Sequence, residues 1–205
     1  MVNTMNTTVV FDFGNVLAQI RRRAMGEALA AHSPYDAEEV LSQIFGTDIE
    51  IDSETGVYDS RGHFEAIKAR IQGEASWDYE TFRGEYCQGL SLSEEGVRAL
   101  ELCKEAGKRI FVLSNTSYLH ARWLFEQEVL ATLPEWHIFS FKVGIMKPDP
   151  RIWEYMLRAG NAQAAESIYV DDLEENCRTA RKLGFDTILH APGETDLCAE
   201  LSARF

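Results

Sequence analysis

Four short polar motifs follow apolar runs along the chain and carry the residues best suited to chemistry. In chain order they are Asp12-Phe13-Gly14-Asn15, Ser114-Asn115-Thr116, Lys147-Pro148 and Asp171-Asp172. Taken singly, each has a simpler interpretation, because Asp, Ser and Asn are common in turns and helix caps and an isolated lysine is usually solvated. Their order and their shared position after apolar runs favour one joint site instead.

An aspartate at the end of a strand can attack phosphorus and form an aspartyl-phosphate, which divides a difficult hydrolysis into two easier steps. This reaction requires that the negative charge on both partners be neutralised. Asp12 and Asp171 would together hold Mg²⁺, which prefers oxygen ligands. Lys147 would add a fixed positive charge, while Ser114 and the backbone amides beside Asn115 would bind the remaining phosphate oxygens. The motifs therefore predict a magnesium-dependent site for a phosphate group.

Apolar runs rich in β-branched residues predict the strands that would position these motifs. The runs are Thr8 to Phe11, Arg109 to Leu113, Trp136 to Phe139, Ser167 to Val170 and Thr187 to Leu189. Helical spacing of apolar residues predicts helices over Glu94 to Ala106, Pro150 to Ala159 and Asn176 to Leu183, each followed by a glycine just past its end. This alternation predicts an α/β fold with a parallel sheet covered on both faces, which binds ligands at the carboxyl ends of its strands.

Residues 18–93 have a different pattern, because apolar residues such as Phe64, Ile67 and Ile71 recur at helical spacing and no long strand-like run occurs. We predict that this segment is a helical cap inserted into a catalytic core formed by residues 1–17 and 94–205. Within the insert, residues 46–62 are polar and rich in turn formers, and we expect them to form a loop between helices.

Composition limits the possible partners. The chain has 205 residues, of which 45% are hydrophobic, and this is enough for one substantial core with a small subdomain. Acidic residues outnumber basic ones by 33 to 20, which argues against nucleic acid or an anionic membrane as a partner. No apolar run approaches the ~20 residues of a membrane span. We therefore expect a cytoplasmic protein that acts on a small molecule; its oligomeric state is not predicted.

The chain resembles the haloacid dehalogenase-like (HAD) hydrolases over essentially its whole length. The resemblance rests on four segments: FDFGNVL at 11–17, VLSNTS at 112–117, GIMKPDPRIW at 144–153 and YVDDLEENCRTARKLGF at 169–185. Within that family, the first two motifs and the helical insert between them are most similar to the branch that contains bacterial α-D-glucose-1-phosphate phosphatases.

The resemblance implies a Rossmann-like core with a helical cap and a Mg²⁺-dependent phosphatase acting on a small phosphorylated metabolite, such as a sugar phosphate. Asp12 would be the nucleophile. The implied metal ligands are Asp12, the backbone carbonyl of Gly14 and Asp171. The implied phosphate-binding residues are Ser114, Asn115 and Lys147, with Asp172 supporting the metal or the lysine.

One departure from the family pattern affects the mechanism. The first motif of the family usually carries a second aspartate, which serves as general acid and base, and Gly14 occupies that position here. Loss of a positioned acid or base typically costs ~10²–10⁴-fold in rate. Two alternatives therefore stay open: a metal-independent 2-haloacid dehalogenase, and a noncatalytic module that binds phosphate or a partner.

We expect substrate selection to lie in the cap. Arg21, the first residue of an Arg21-Arg22-Arg23 run, would contact an anionic or sugar group, and Tyr58 and His63 are further candidate contacts. The competing interpretation places the arginines on a solvated helix turn and Tyr58 on an exposed loop. His120, after the second motif, is interpreted as a structural histidine.

Overall fold

The computed structural model describes residues 7–205, so residues 1–6 of the predicted core lie outside the described part. The strands, numbered in chain order, are β1 Thr8–Phe11, β2 Ala18–Ile20, β3 Leu90–Leu92, β4 Arg109–Ser114, β5 Trp136–Phe139, β6 Ser167–Asp171 and β7 Asp186–Leu189. Five of them form one parallel sheet in the order β5-β4-β1-β6-β7. This sheet confirms the predicted α/β class and all five of the predicted strands.

Helices surround the sheet and form most of the insert. They are α1 Arg22–Ala30, α2 Ala37–Ile44, α3 Asp48–Glu54, α4 Ser60–Arg70, α5 Tyr79–Tyr86, α6 Glu94–Glu105, α7 Tyr118–Glu126, α8 Glu128–Thr132, α9 Ser140–Val143, α10 Arg151–Gly160, α11 Glu174–Lys182 and α12 Leu197–Ser202, with a short 3-10 helix at Ala164–Glu166. None of the helices in the described residues is long and apolar enough to cross a membrane.

The central strand β1 is buried on both faces, as its uninterrupted apolar sequence requires. Val9 and Phe11 belong to one apolar cluster, whereas Val10 belongs to another on the opposite face of the sheet. Alternate residues of a strand point to opposite faces, so this short run connects both helical layers to the sheet. The carboxyl end of β1 is thereby fixed in the middle of the molecule.

Two helix ends match the predicted glycine stops and one differs. Gly107 and Gly184 have positive φ angles of 67° and 98°. Gly160, in contrast, is the last residue of α10, and Asn161 adopts the left-handed conformation after it. A Cβ at position 160 would lie 2.3 Å from the ring of Phe111, so this glycine is required by close packing of the helix on the sheet and not by the turn.

The insert begins and ends on a small antiparallel pair, in which β2 pairs with β3. The predicted boundaries at residues 18 and 93 fall at the two ends of this pair, and the division into core and cap stays a prediction. The five helices α1 to α5 lie between the two strands and enclose their own apolar cluster, which includes Met25, Val40 and Phe82.

The prediction of a loop over residues 46–62 is wrong in part, because α3 lies inside it. The Thr47 hydroxyl caps this helix by accepting a hydrogen bond from the Ile49 N–H, and Ile49 is buried in the cap. A helix of only seven residues contains too few apolar positions to produce a visible period in the sequence.

Candidate active site

Three of the four motifs lie at one edge of the sheet. Asp12 follows β1, Ser114 ends β4 and Asp171 ends β6, and β4 and β6 are the two neighbours of β1. Because the three strands are parallel, their carboxyl ends meet at the same edge. The chain continues from β1 to β4 and β5 on one side of the central strand and then crosses to β6 and β7 on the other, and open α/β sheets form binding crevices where the strand order reverses in this way.

Lys147 completes this cluster from the loop before α10. Its Nζ lies 2.8 Å from Oδ1 of Asp12 and 2.7 Å from Oδ2 of Asp171, and the residue is only 5% exposed. The side chain of Asn115 holds the backbone of Lys147: its Oδ1 accepts the Lys147 N–H at 2.7 Å and its Nδ2 donates to the Lys147 carbonyl at 2.8 Å. Asn115 therefore fixes the position of the lysine.

Asp171 is fully buried, and both of its carboxylate oxygens are already hydrogen-bonded. Oδ1 accepts the Leu173 N–H and Nδ2 of Asn176, and Oδ2 accepts Lys147, the Tyr169 hydroxyl and, at 3.1 Å, Nδ2 of Asn176. The main role of Asp171 is thus to hold the Lys147 side chain in position.

Asp172 is more accessible than its neighbour. It is half-buried and accepts one side-chain hydrogen bond, at 2.8 Å from Nδ2 of Asn15, a residue held in the left-handed conformation with φ of 55°. Carboxylate oxygens of Asp12, Asp171 and Asp172 all lie within 4.8 Å of one another. These hard oxygen donors are the kind that Mg²⁺ prefers.

The cluster carries more negative than positive charge. Burial raises the pKa of Asp12 to about 7; Lys147 opposes this shift, and Asp171 adds to it. Burial also raises the pKa of Asp172, although the hydrogen bond from Asn15 opposes that shift. Burial disfavours the carboxylate of Asp171 too, but the charge and hydrogen bond of Lys147 outweigh it and lower the pKa. One ammonium thus lies among three carboxyl groups and is hydrogen-bonded to two of them, Asp12 and Asp171.

A cavity of about 280 Å³ opens onto this cluster and is closed on its other side by the insert. Asp12, Gly14, Lys147 and Asp172 line it from the core. The lining residues contributed by the insert are Ile20, Arg22, Phe45, Glu50 and Glu54. The charged and apolar groups of the insert therefore face the carboxylate cluster directly.

Gly14 lines this cavity beside Asp12, and the space above it is occupied. A Cβ at position 14 would lie 2.9 Å from Cδ1 of Ile20. The position that usually carries a second aspartate in the resembled family is therefore covered by an aliphatic side chain.

Several predicted residues lie outside the cavity lining. Ser114 is 1% exposed and its hydroxyl donates to the Asn115 carbonyl at 3.1 Å. Arg21 and Tyr58 are not among the lining residues, whereas Arg22, the next residue of the arginine run, is. His63 is 2% exposed and packs against Phe82 and Tyr86 inside the cap.

Sequence reasoning assigned no role to four residues of the site, and two signals would have found three of them. Tyr169 lies two positions before Asp171 on a strand, so both side chains point to the same face. Glu50 and Glu54 are four residues apart and share one face of α3, which is recognisable only once that segment is known to be helical. No comparable signal marks Asn176, which reaches Asp171 from α11.

A parallel α/β core with a strand-end aspartate, a lysine bridged between two aspartates and a covering helical insert defines a class of hydrolase that uses carboxylates at the sheet edge. A family model described as a haloacid dehalogenase-like hydrolase matches residues 7–184. The chain belongs to this family.

The chain is also similar to one named relative, and its fold is similar to those of solved structures. The chain is 26% identical over 191 residues to a D-ribitol-5-phosphate phosphatase from Bacteroides thetaiotaomicron, covering 89% of this chain and 91% of the relative. A HAD-like hydrolase from Porphyromonas gingivalis superposes with a TM-score of 0.82 at 23% identity, covering 97% and 98% of the two chains. A HAD family enzyme from B. thetaiotaomicron, solved with magnesium and inorganic phosphate, gives 0.79 at 21% identity, covering 92% and 96%.

Proposed function

We propose that this protein is a Mg²⁺-dependent phosphatase that hydrolyses a small phosphorylated metabolite, of the sugar or sugar-alcohol phosphate class, through an aspartyl-phosphate on Asp12. The observation that carries the proposal is the position of Asp12 at the end of the central strand, where it is hydrogen-bonded to Lys147 and lines the cavity covered by the insert. The D-ribitol-5-phosphate phosphatase among the relatives supports the substrate class.

The residues present fit a magnesium ion. Carboxylate oxygens of three aspartates lie within 4.8 Å of one another. Burial, with a smaller contribution from Asp171, raises the pKa values of Asp12 and Asp172, and a divalent cation would favour their charged forms. Asp171 was predicted as the second carboxylate ligand. We assign Asp172 to this position instead, with Asp12 and the Gly14 carbonyl, because the oxygens of Asp171 are committed to hydrogen bonds. When bound, Mg²⁺ would neutralise charge on the nucleophile and the phosphate.

The residues of the site then have separate roles in the reaction. The free oxygen of Asp12 attacks phosphorus, while Lys147, held by Asp171, keeps the other oxygen in place and adds positive charge beside the phosphate. The side chain of Asn115 is occupied by the Lys147 backbone, so its main-chain N–H is the group that we assign to the phosphate. Ser114 was predicted as a second donor, but its buried hydroxyl donates to the Asn115 carbonyl and lies outside the cavity lining, so we assign it no phosphate contact.

Mg²⁺-dependent phosphate release from a panel of sugar phosphates, sugar-alcohol phosphates and one aryl phosphate tests the proposal, with Asp12→Asn as the comparison. We expect release that requires Mg²⁺ and falls on the order of 10⁴-fold or more in the variant, because no other group can replace the nucleophile. The variant should keep the wild-type fold, as judged by its thermal midpoint.

The two alternatives give different results in the same assays. A folded, Mg²⁺-binding wild type that releases no phosphate from any substrate would indicate a noncatalytic phosphate-binding module. Halide release from a 2-haloacid without metal would indicate a dehalogenase. The lining of the cavity does not favour the dehalogenase reaction, because a site that works without metal does not require the additional carboxylate of Asp172.

A further inference from the structure

The site lacks a proton donor at the usual position. Hydrolysis of an alkyl phosphate requires that the leaving oxygen be protonated, because an alkoxide is a poor leaving group in water. Gly14 carries no carboxyl group, and Ile20 occupies the space where a side chain at position 14 would extend. The proton must come from another group that lines the same cavity.

Four carboxyl groups line the cavity, and three of them are already engaged. Asp12 is paired with Lys147 and Asp172 with Asn15. Glu50 accepts the Gly46 N–H at 2.7 Å and lies 3.6 Å from a guanidinium nitrogen of Arg22. Within residues 7–205, the carboxyl group of Glu54 has no hydrogen bond or ion pair. It is the one acid of the cavity that is free to exchange a proton with a ligand.

The backbone around Glu54 is pressed against the core. Glu54 is the last residue of α3, and the turn that follows contains Gly56 with φ of 78°. A Cβ on Gly56 would lie 2.2 Å from the carbonyl oxygen of Phe141 in α9, so only glycine permits this approach. The contact fixes the end of α3 against the core, where Glu54 lines the same cavity as Asp12.

We propose that Glu54 is the general acid and base of this site, replacing the carboxyl group that position 14 lacks; the proposal rests on the phosphatase function proposed above. In the first step, Asp12 attacks phosphorus, the bond from phosphorus to the leaving oxygen breaks, and that oxygen takes the proton of Glu54. In the second step, the Glu54 carboxylate takes a proton from water, the water oxygen attacks phosphorus, and the bond to Asp12 breaks. Phosphate leaves, and Glu54 is protonated again.

The electrostatic surroundings suit this role. Burial raises the pKa of Glu54 to about 8; the nearby charges of Glu50 and Asp12 add to the shift, and Lys147 and Arg22 oppose it. The other titratable groups that line the cavity are Asp172 and His120, and burial lowers the pKa of His120 to about 4, which keeps it neutral. A carboxyl group with a pKa near the operating pH can both donate and recover a proton.

Dependence on the leaving group tests the role. A proton donor matters for a sugar-alcohol phosphate, whose alkoxide is strongly basic, and hardly matters for 2,4-dinitrophenyl phosphate, whose phenolate leaves without help. We expect Glu54→Gln to lower kcat/KM for the alkyl substrate about 100-fold and for the aryl substrate less than about threefold. Because kcat/KM reports the steps up to the first irreversible one, it isolates formation of the aspartyl-phosphate.

Asp52→Asn is the matched control, because Asp52 lies on the same helix and does not line the cavity. It should leave both kcat/KM values unchanged. Equal losses on both substrates in Glu54→Gln would overturn the proposal and indicate a binding or structural role, and so would no loss on either.

The aryl phosphate also separates this proposal from the phosphatase function itself. Hydrolysis by wild type that is lost in Asp12→Asn establishes the nucleophile, whatever happens at Glu54. If neither wild type nor Glu54→Gln hydrolyses the aryl phosphate, the phosphatase function fails, and the acid–base role fails with it.

Discussion

The two walls of the cavity are built in different ways. On the core side, the side chains of Lys147 and Asp171 are 2% and 0% exposed and are hydrogen-bonded to each other at 2.7 Å. On the cap side, Arg22 is 59% exposed and its contact with Glu50 is 3.6 Å long. Buried charges must be fully paired, whereas exposed pairs contribute little and rearrange easily.

This difference indicates that the two walls have different roles. The core wall holds its charged groups in place before any ligand arrives, as a site for a fixed chemical step requires. The cap wall offers groups with few partners, Glu54 above all, that are available to a substrate. We expect variants of the core wall to affect stability and metal binding, and variants of the cap wall to affect the choice and handling of substrate.

The largest effect should come from Lys147→Met. This change leaves Asp12 and Asp171 buried together without their shared cation, and the loss of one partner from a buried ion pair typically costs ~3–5 kcal/mol. We expect a decrease of about that size in the free energy of unfolding measured by urea denaturation without metal. Saturating Mg²⁺ should reduce the loss, because it replaces part of the missing charge.

Arg22→Met is the matched comparison on the cap wall, since it removes the cation of the Arg22–Glu50 pair. Its cost should be below ~1 kcal/mol because the Arg22 side chain is 59% exposed and its contact with Glu50 is 3.6 Å long. Similar costs for the two variants would mean that the walls do not differ in the way described here.

Metal binding should separate the two adjacent aspartates. Asp172→Asn removes the assigned ligand and should weaken Mg²⁺ binding ~100-fold, while Asp171→Asn acts through the lysine and should weaken it ~10-fold or less. Calorimetric titration of both variants measures the difference. Asp171→Asn should instead lower the unfolding free energy more, because it leaves Lys147 with one carboxylate. A reversed order of Mg²⁺ affinities would restore the original prediction of Asp171 as the ligand.

The smallest expected effect concerns the contact between the walls. Gly56→Ala would place a Cβ 2.2 Å from the Phe141 carbonyl oxygen. This clash would displace the turn after α3 and, with it, Glu54 at the end of that helix. We expect about a tenfold decrease in kcat/KM for an alkyl phosphate, with a stability cost of ~1–2 kcal/mol from the left-handed conformation and the displacement.

Gly46→Ala is the control for backbone strain at the other end of α3. Gly46 has φ of 74°, close to that of Gly56, but nothing lies within 4 Å of a Cβ built there. It should cost a similar amount of stability from the conformation alone and leave kcat/KM unchanged. If Gly46→Ala and Gly56→Ala lose activity equally, the contact with Phe141 does not position the cap wall.

Much of the fold was predictable because it depends on local patterns. The five strands of the parallel sheet are short β-branched runs closed by turn formers, and the glycine stops after α6 and α11 have the expected positive φ angles. Helix α3 was not predictable in this way, because its single buried apolar residue, Ile49, gives no period. Gly160 was misread for a related reason: its role depends on Phe111, a residue distant in sequence.

The sequence by itself determined which residues gather at the site. Asp12, Ser114 and Asp171 must meet because each ends or follows a parallel strand, and parallel strands bring their carboxyl ends together. Lys147 was predicted as a fixed positive charge beside the phosphate because the site needs one, and the structure gives it two carboxylate partners.

Tertiary structure decided how the members of the site differ. Asp171 points to the same face as Tyr169 and receives hydrogen bonds from four residues, whereas Asp172, one position further and outside β6, faces the cavity. The free carboxyl of Glu54 likewise depends on the approach of α3 to α9. Burial and hydrogen bonding are set by neighbours from several elements, so two adjacent aspartates of identical chemistry acquire different roles only when the chain is folded.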